Sequence, residues 1–166
     1  MIFGNPEGPQ ASIEATLVAL LKNRGQTFAV AESCTGGLVA SRVTDIAGAS
    51  EVFSGGVVCY SNALKIKLLN VPEAIITNYG AVSEACAIAM VKGLKALTHA
   101  DYCTAVTGIA GPAGGTPEKP VGTVFVAEYF NEVPVCHRLF FPLSRLEFKQ
   151  RVADAVMLGV AGALRK

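Results

Sequence analysis

The chain has no tryptophan, only two histidines and few charges. Asp, Glu, Lys and Arg make up 16% of its 166 residues, against about 25% in ordinary globular chains. These shortages exclude several classes of function. His99 and His137 stand far apart, and no two of the five cysteines (34, 59, 86, 103, 136) have CxxC spacing, so no bound metal is expected. A formal net charge of +1, with no Lys/Arg run, leaves no bulk attraction for a polyanion, so nucleic acid is not an expected partner. No apolar run reaches the roughly 18 residues that suggest a membrane span. The opening "MIFGNPEGPQ" has neither the basic region nor the apolar run of a signal peptide. An odd number of cysteines in apolar surroundings reads as reduced, mostly buried thiols. The expectation is a soluble cytoplasmic protein.

What the chain does have is apolar residues, 51% of the total, enough for one domain with a substantial core. Sparse charge suggests an extensive core or a buried subunit interface, and hence a homodimer or higher homo-oligomer. Residues 1–11 read as a loose tail and residues 12–166 as the domain. Ser12 is placed to cap a helix with Ile13, Leu17, Leu20 and Leu21 on one face, ending near Gly25. "TFAVA" reads as a buried strand, followed by a helix from about Thr35 to Thr44. "GGVVCY" (55–60) is a second strand, and "SNALKIKLL" (61–69) a helix capped by Ser61. Ser83 caps a longer helix, and "YCTAV" (102–106) is a third strand. "VGTVFVAEYF" and "VPVCHRLFF", flanking Asn131-Glu132, form a hairpin. "SRLE" (144–147) is a capping box opening a last helix with Leu146, Val152, Val156 and Val160 inward. About five short apolar strands interleaved with helices imply an α/β fold, and the terminal hairpin makes its mainly parallel sheet mixed.

Ligands of such sheets bind at the carboxyl ends of the parallel strands. That rule gathers three loops: Glu32 to Thr35, Tyr60 to Lys65, and Thr107 to Gly115. Ser33, between a strand and a helix start, is placed as a nucleophile, with free helix N–H groups nearby for an oxyanion. Gly36 would let a substrate approach the backbone. Ser33 or Thr35 could equally be a plain helix cap. Cys34 is a rival nucleophile, but no histidine lies in these loops to serve as its base.

For Ser33 the candidate base is a lysine, which must be partly neutral to act and so requires a pKa well below about 10.4. Lys65 fits, one turn inside a helix whose dipole disfavours a cation. Tyr60 is placed to donate a hydrogen bond or relay a proton. Alternatively Lys65 and Lys67 form a solvated helix face. "GIAGPAGG" lacks the GK[ST] ending of a P-loop, yet its amides could form an anion nest, or it could be a bare turn. Arg145 is the nearest cation for an acidic ligand.

"AESCTGG" (31–37), "FSGGVVCYSNALKIKLLNV" (53–71), "GAVSE" (80–84) and "AVTGIAGPAGGTPEKPVGTVFVA" (105–127) together resemble the CinA C-terminal domain family, in order and at collinear spacing. That family includes stand-alone nicotinamide-nucleotide amidases of the PncC type. The resemblance implies a three-layer α/β/α domain without the molybdopterin-binding-like domain of longer relatives. It implies hydrolysis of nicotinamide mononucleotide to nicotinate mononucleotide and ammonia, in pyridine-nucleotide salvage, with no metal or other cofactor. It places the nucleophile on Ser33, the base on Lys65 with Tyr60 beside it, and the substrate pocket on Thr35, Gly36, Thr107, Gly108, Ala110 and Gly111, with Arg145 near the nucleotide. Departures from the family pattern are Cys59, Ala63-Leu64 and Ala113. The alternative is a non-catalytic nucleotide-binding or regulatory module of the same competence-damage-inducible family.

Overall fold

The computed structural model describes residues 12–130 and 132–165, so the tail expected over residues 1–11 and Asn131 of the hairpin turn lie outside them. Helices α1 (Ile13–Arg24), α2 (Leu38–Thr44), α3 (Asn62–Leu69), α4 (Glu73–Tyr79), α5 (Glu84–Thr98) and α6 (Arg145–Leu164) alternate with strands β1 (Phe28–Glu32), β2 (Phe53–Val58), β3 (Tyr102–Gly108), β4 (Thr123–Tyr129) and β5 (Val135–Phe140). The strand order is β2-β1-β3-β4-β5. β2, β1 and β3 pair in parallel, and β4 runs antiparallel to both β3 and β5. Four of the five strands therefore share a direction, as a mixed, mainly parallel sheet requires.

The helix ends follow the local chemistry of the sequence. Ser12, Ser61 and Ser83 each accept a hydrogen bond from a first-turn amide, and Gly25 closes α1 with φ 60°. Ser144 and Glu147 form the reciprocal capping box of α6. These contacts satisfy amides that a helix cannot bond internally.

Alternation along the strands divides the interior into two layers. Phe28, Val30, Val106, Val124 and Val126 face α1, α2 and α6. Ala29, Ala31, Ala105 and Ala127 face α5 and the Leu69–Val71 segment. Bulk on one face and alanine on the other let α5 pack close against the sheet. Both faces are covered, and β1 is buried along its whole length, which explains its unbroken apolar run. Leu146 departs from the expectation: it is 74% exposed, while Val152, Val156 and Val160 are buried. It lies in the first turn of α6, beside the polar capping residues, and points outward there. Among the described residues no helix is long and apolar enough to cross a membrane.

Candidate active site

Parallel pairing sets Glu32 opposite both Val58 and Val106, so β1, β2 and β3 end along the same rim. Ser33 follows β1 directly, and its amide donates to the Val106 carbonyl at 3.1 Å. The chain then turns through Gly36 (φ 63°) and Gly37 (φ 93°), left-handed conformations that glycine adopts at little cost. This turn delays α2 until Leu38, three residues later than the sequence suggests, so neither Ser33 nor Thr35 caps it. Glu32 does. Its buried carboxylate accepts from Gly37 N (3.0 Å), Val39 N (3.1 Å) and Ala40 N (2.8 Å). The amides of Gly37, Val39 and Ala40 are thus occupied and do not serve an oxyanion. The amides of Ala110 and Gly111 have no backbone acceptor among the described residues.

Lys65 enters from α3 and is 1% exposed, not part of a solvated helix face. Its Nζ lies 2.9 Å from Ser33 Oγ, and it donates to the carbonyls of Cys59 at 3.0 Å and Tyr60 at 3.4 Å. No carboxylate pairs with it among the described residues. A buried hydroxyl and amine in direct contact, with two carbonyls aiming the amine, form a nucleophile–base arrangement.

The pair opens into a cavity of about 300 Å³. Tyr60, Asn62, Ala81, Val82, the segment Thr107–Gly111 and Arg145 line it. Thr107 is buried, and its hydroxyl donates to Ala81 O at 2.8 Å, which draws the turn before α5 into the pocket wall. Arg145 spans the mouth, donating to Gly111 O at 3.0 Å and to Tyr60 Oη at 2.7 Å. Among the described residues, two basic side chains, Lys65 and Arg145, line the cavity and no carboxylate does, a lining suited to a neutral amide attached to an anion.

Cys34 also reaches the cavity, but burial pushes its thiol up to about 12 despite the opposing pull of nearby amides and Lys65, and Glu32 adds to the rise. Burial likewise raises the Cys59 thiol to about 11. Neither thiol is prepared to act as a nucleophile near neutral pH.

The structure thus gathers Ser33, Lys65, Tyr60, Thr107, Gly108, Ala110, Gly111 and Arg145 around one cavity. Thr35 and Gly36 do not line it. Thr35 is fully buried behind the turn, and a side chain on Gly36 would point toward Lys149 of α6. Tyr60 contacts Lys65 through its backbone carbonyl, and its hydroxyl accepts from Arg145. Asn62, from the Tyr60–Lys65 loop, joins the lining, as do Ala81 and Val82, which no local feature of the sequence marks out. "GAVSE" is one of the resembling blocks, the single signal that bears on Ala81 and Val82.

Sheet order, two-sided helix packing and the contact at the rim define an α/β domain in which a buried serine hydroxyl meets a buried lysine amine. More narrowly, the chain belongs to the CinA C-terminal domain family, which matches residues 10–164. It is 58% identical over 141 residues to a CinA-like protein of Thermotoga maritima, a match covering 85% of this chain and 34% of that protein. Over 157 residues it is 45% identical to a CinA-like protein of Akkermansia muciniphila, covering 94% and 38% respectively. The chain therefore spans little more than a third of the length of these curated relatives. Among solved structures, a CinA superfamily protein from Klebsiella pneumoniae aligns with a TM-score of 0.88 at 31% identity, covering 92% of this chain and 96% of that one. A competence/damage inducible protein from Agrobacterium tumefaciens aligns at 0.87 with 34% identity, covering 96% and 99%.

Proposed function

We propose that the chain is an amidohydrolase that converts nicotinamide mononucleotide to nicotinate mononucleotide and ammonia. The observation that carries this reading is the 2.9 Å contact between Ser33 Oγ and Lys65 Nζ at the floor of a cavity whose lining holds no carboxylate. Uncharged Lys65 takes the Ser33 proton as Oγ bonds to the carboxamide carbon. The oxyanion is held by backbone amides of the cavity lining, at Cys34 and in the 110–111 segment. Protonated Lys65 then returns its proton to the nitrogen as the C–N bond breaks and ammonia leaves. Water, deprotonated by Lys65, attacks the acyl ester, releasing the carboxylate and restoring the serine. Arg145 at the mouth is placed for the phosphate of the substrate.

The proton passes directly between Ser33, Lys65 and the leaving group, since Tyr60 meets Lys65 through its carbonyl while its side chain is exposed at the mouth beside Arg145. The test is to incubate purified protein with nicotinamide mononucleotide and follow nicotinate mononucleotide and ammonia together. Stoichiometric formation of both supports the reading. Saturable binding without turnover, even at excess enzyme, would replace it with the binding-module alternative.

A further inference from the structure

Glu32 is a carboxylate with no exposure to solvent and no cationic partner among the described residues. It is nevertheless joined to both halves of the serine–lysine pair. On one side its carboxylate closes the turn that carries Ser33. Oε2 accepts from Gly37 N and Val39 N, and Oε1 from Ala40 N, while Gly36 N closes back on Ser33 O at 3.2 Å. On the other side its backbone carbonyl accepts from Cys59 N at 2.9 Å. The carbonyl of that same Cys59 then accepts from Lys65 Nζ.

We infer that Glu32 is the positioning residue of the Ser33–Lys65 pair, fixing the hydroxyl through its side chain and the amine through its own carbonyl and Cys59. This rests on the reading of Ser33 as nucleophile and Lys65 as base. Three amides converge on two carboxylate oxygens, a demand that a carboxamide cannot meet, since one of its two head atoms is a donor. A glutamine here turns that donor on at least one α2 amide and loosens the Ser33 turn without changing side-chain size. Displacing a reacting group by a fraction of an ångström to about 1 Å can cost roughly 100-fold in rate, whereas the substrate-binding rim of Arg145, Thr107 and Gly111 lies on other elements.

The experiment compares Glu32→Gln with Val43→Ala, a core truncation in α2, the helix that Glu32 caps, away from the cavity. Glu32→Gln is expected to lower kcat at least tenfold with KM within about threefold. Val43→Ala, at a similar loss of Tm, is expected to keep kcat. Equal kcat values for the two variants, or a Glu32→Gln loss carried mainly by KM, would overturn the inference. If Glu32→Gln does not fold, Glu32→Asp keeps the acceptors but shortens the reach, and the same comparison applies. A second readout separates this inference from the choice of substrate: the rate at which a fluorophosphonate labels Ser33, followed by intact mass. That rate is expected to fall at least tenfold in Glu32→Gln even if nicotinamide mononucleotide is not turned over. An unchanged labelling rate would overturn the inference alone. A wild-type Ser33 that does not label would overturn it together with the nucleophile reading beneath it.

Discussion

Lys65 Nζ sits 2.9 Å from Ser33 Oγ although 32 positions separate the two residues in the chain. If the two act as a unit, their removal should not be additive. Ser33→Ala and Lys65→Met should each reduce ammonia release by roughly 10⁴-fold or more, and the double variant should be no worse than either alone. Steady-state rates on all three, with circular dichroism to establish folding, check this. Multiplying losses would mean that the residues act independently.

Tyr60 and Arg145 make a separate prediction. Since the Tyr60 hydroxyl accepts from Arg145, Tyr60→Phe should leave kcat within about threefold and raise KM. Arg145→Met should raise KM about tenfold or more for the nucleotide, the scale of a lost charge-assisted contact, and much less for the corresponding nucleoside. A large fall in kcat for Tyr60→Phe would return the hydroxyl to the proton path.

Asp101 ties the start of β3 to Thr27, accepting from its amide and its hydroxyl, each at 2.8 Å. Burial would raise this carboxyl, but these bonds and the charge of Lys95 outweigh it and hold it below its ordinary 3.8. A depressed folded value means stability that is present above the unfolded value and lost as pH falls through the folded one. Asp101→Asn should therefore lower Tm near neutrality, and the gap to wild type should shrink below about pH 4. A gap independent of pH would contradict this.

Arg42 on α2 pairs with Glu14 of α1 and, at 2.9 Å, with Asp154 of α6. Its loss leaves two partly buried carboxylates facing each other. Arg42→Ala should cost about 2 kcal/mol, below the range for fully buried pairs because these groups keep some solvent. For a chain of this size that is roughly 4–8 °C in Tm, measurable by thermal denaturation.

Two helix glycines should respond in opposite directions to alanine. A Cβ on Gly93 of α5 would collide with the backbone carbonyl of Leu69 at the end of α3, while one on Gly162 of α6 would meet nothing within 4 Å. Gly93→Ala should destabilise by about 1–3 kcal/mol and reduce activity by shifting the helix that carries Lys65. Gly162→Ala should stabilise by up to about 1 kcal/mol. Equal effects would mean that α3 and α5 are not in rigid contact.

Features decided by local chemistry are legible in the amino-acid order. Serine caps at 12, 61 and 83, the SRLE box, the αL glycine at 25 and the short apolar strands follow from neighbouring residues alone. The carboxyl-end rule brings the loops after β1, β2 and β3 together, because parallel pairing forces their ends onto one rim. What escapes depends on partners distant in space or on side-chain direction. Nothing local reveals that Glu32 turns back to cap α2, displacing its start and removing Thr35 and Gly36 from the pocket. Nor does Tyr60 disclose that its hydroxyl is claimed by an arginine from α6. Ala81 and Val82 become pocket residues through packing, because Thr107 tethers the turn before α5.

The reversal of direction between β3 and β4 has one more consequence. A parallel successor would have needed a helix crossing the sheet, with its length and sequence set by packing against the layers. Because β4 doubles back beside β3, residues 109–122 are released from that duty, and Ile109, Ala110, Gly111, Ala113 and Gly114 are free to line the cavity. The cavity wall can then change by exchanging a single segment, with Ser33 and Lys65, which stand on other loops, left in place.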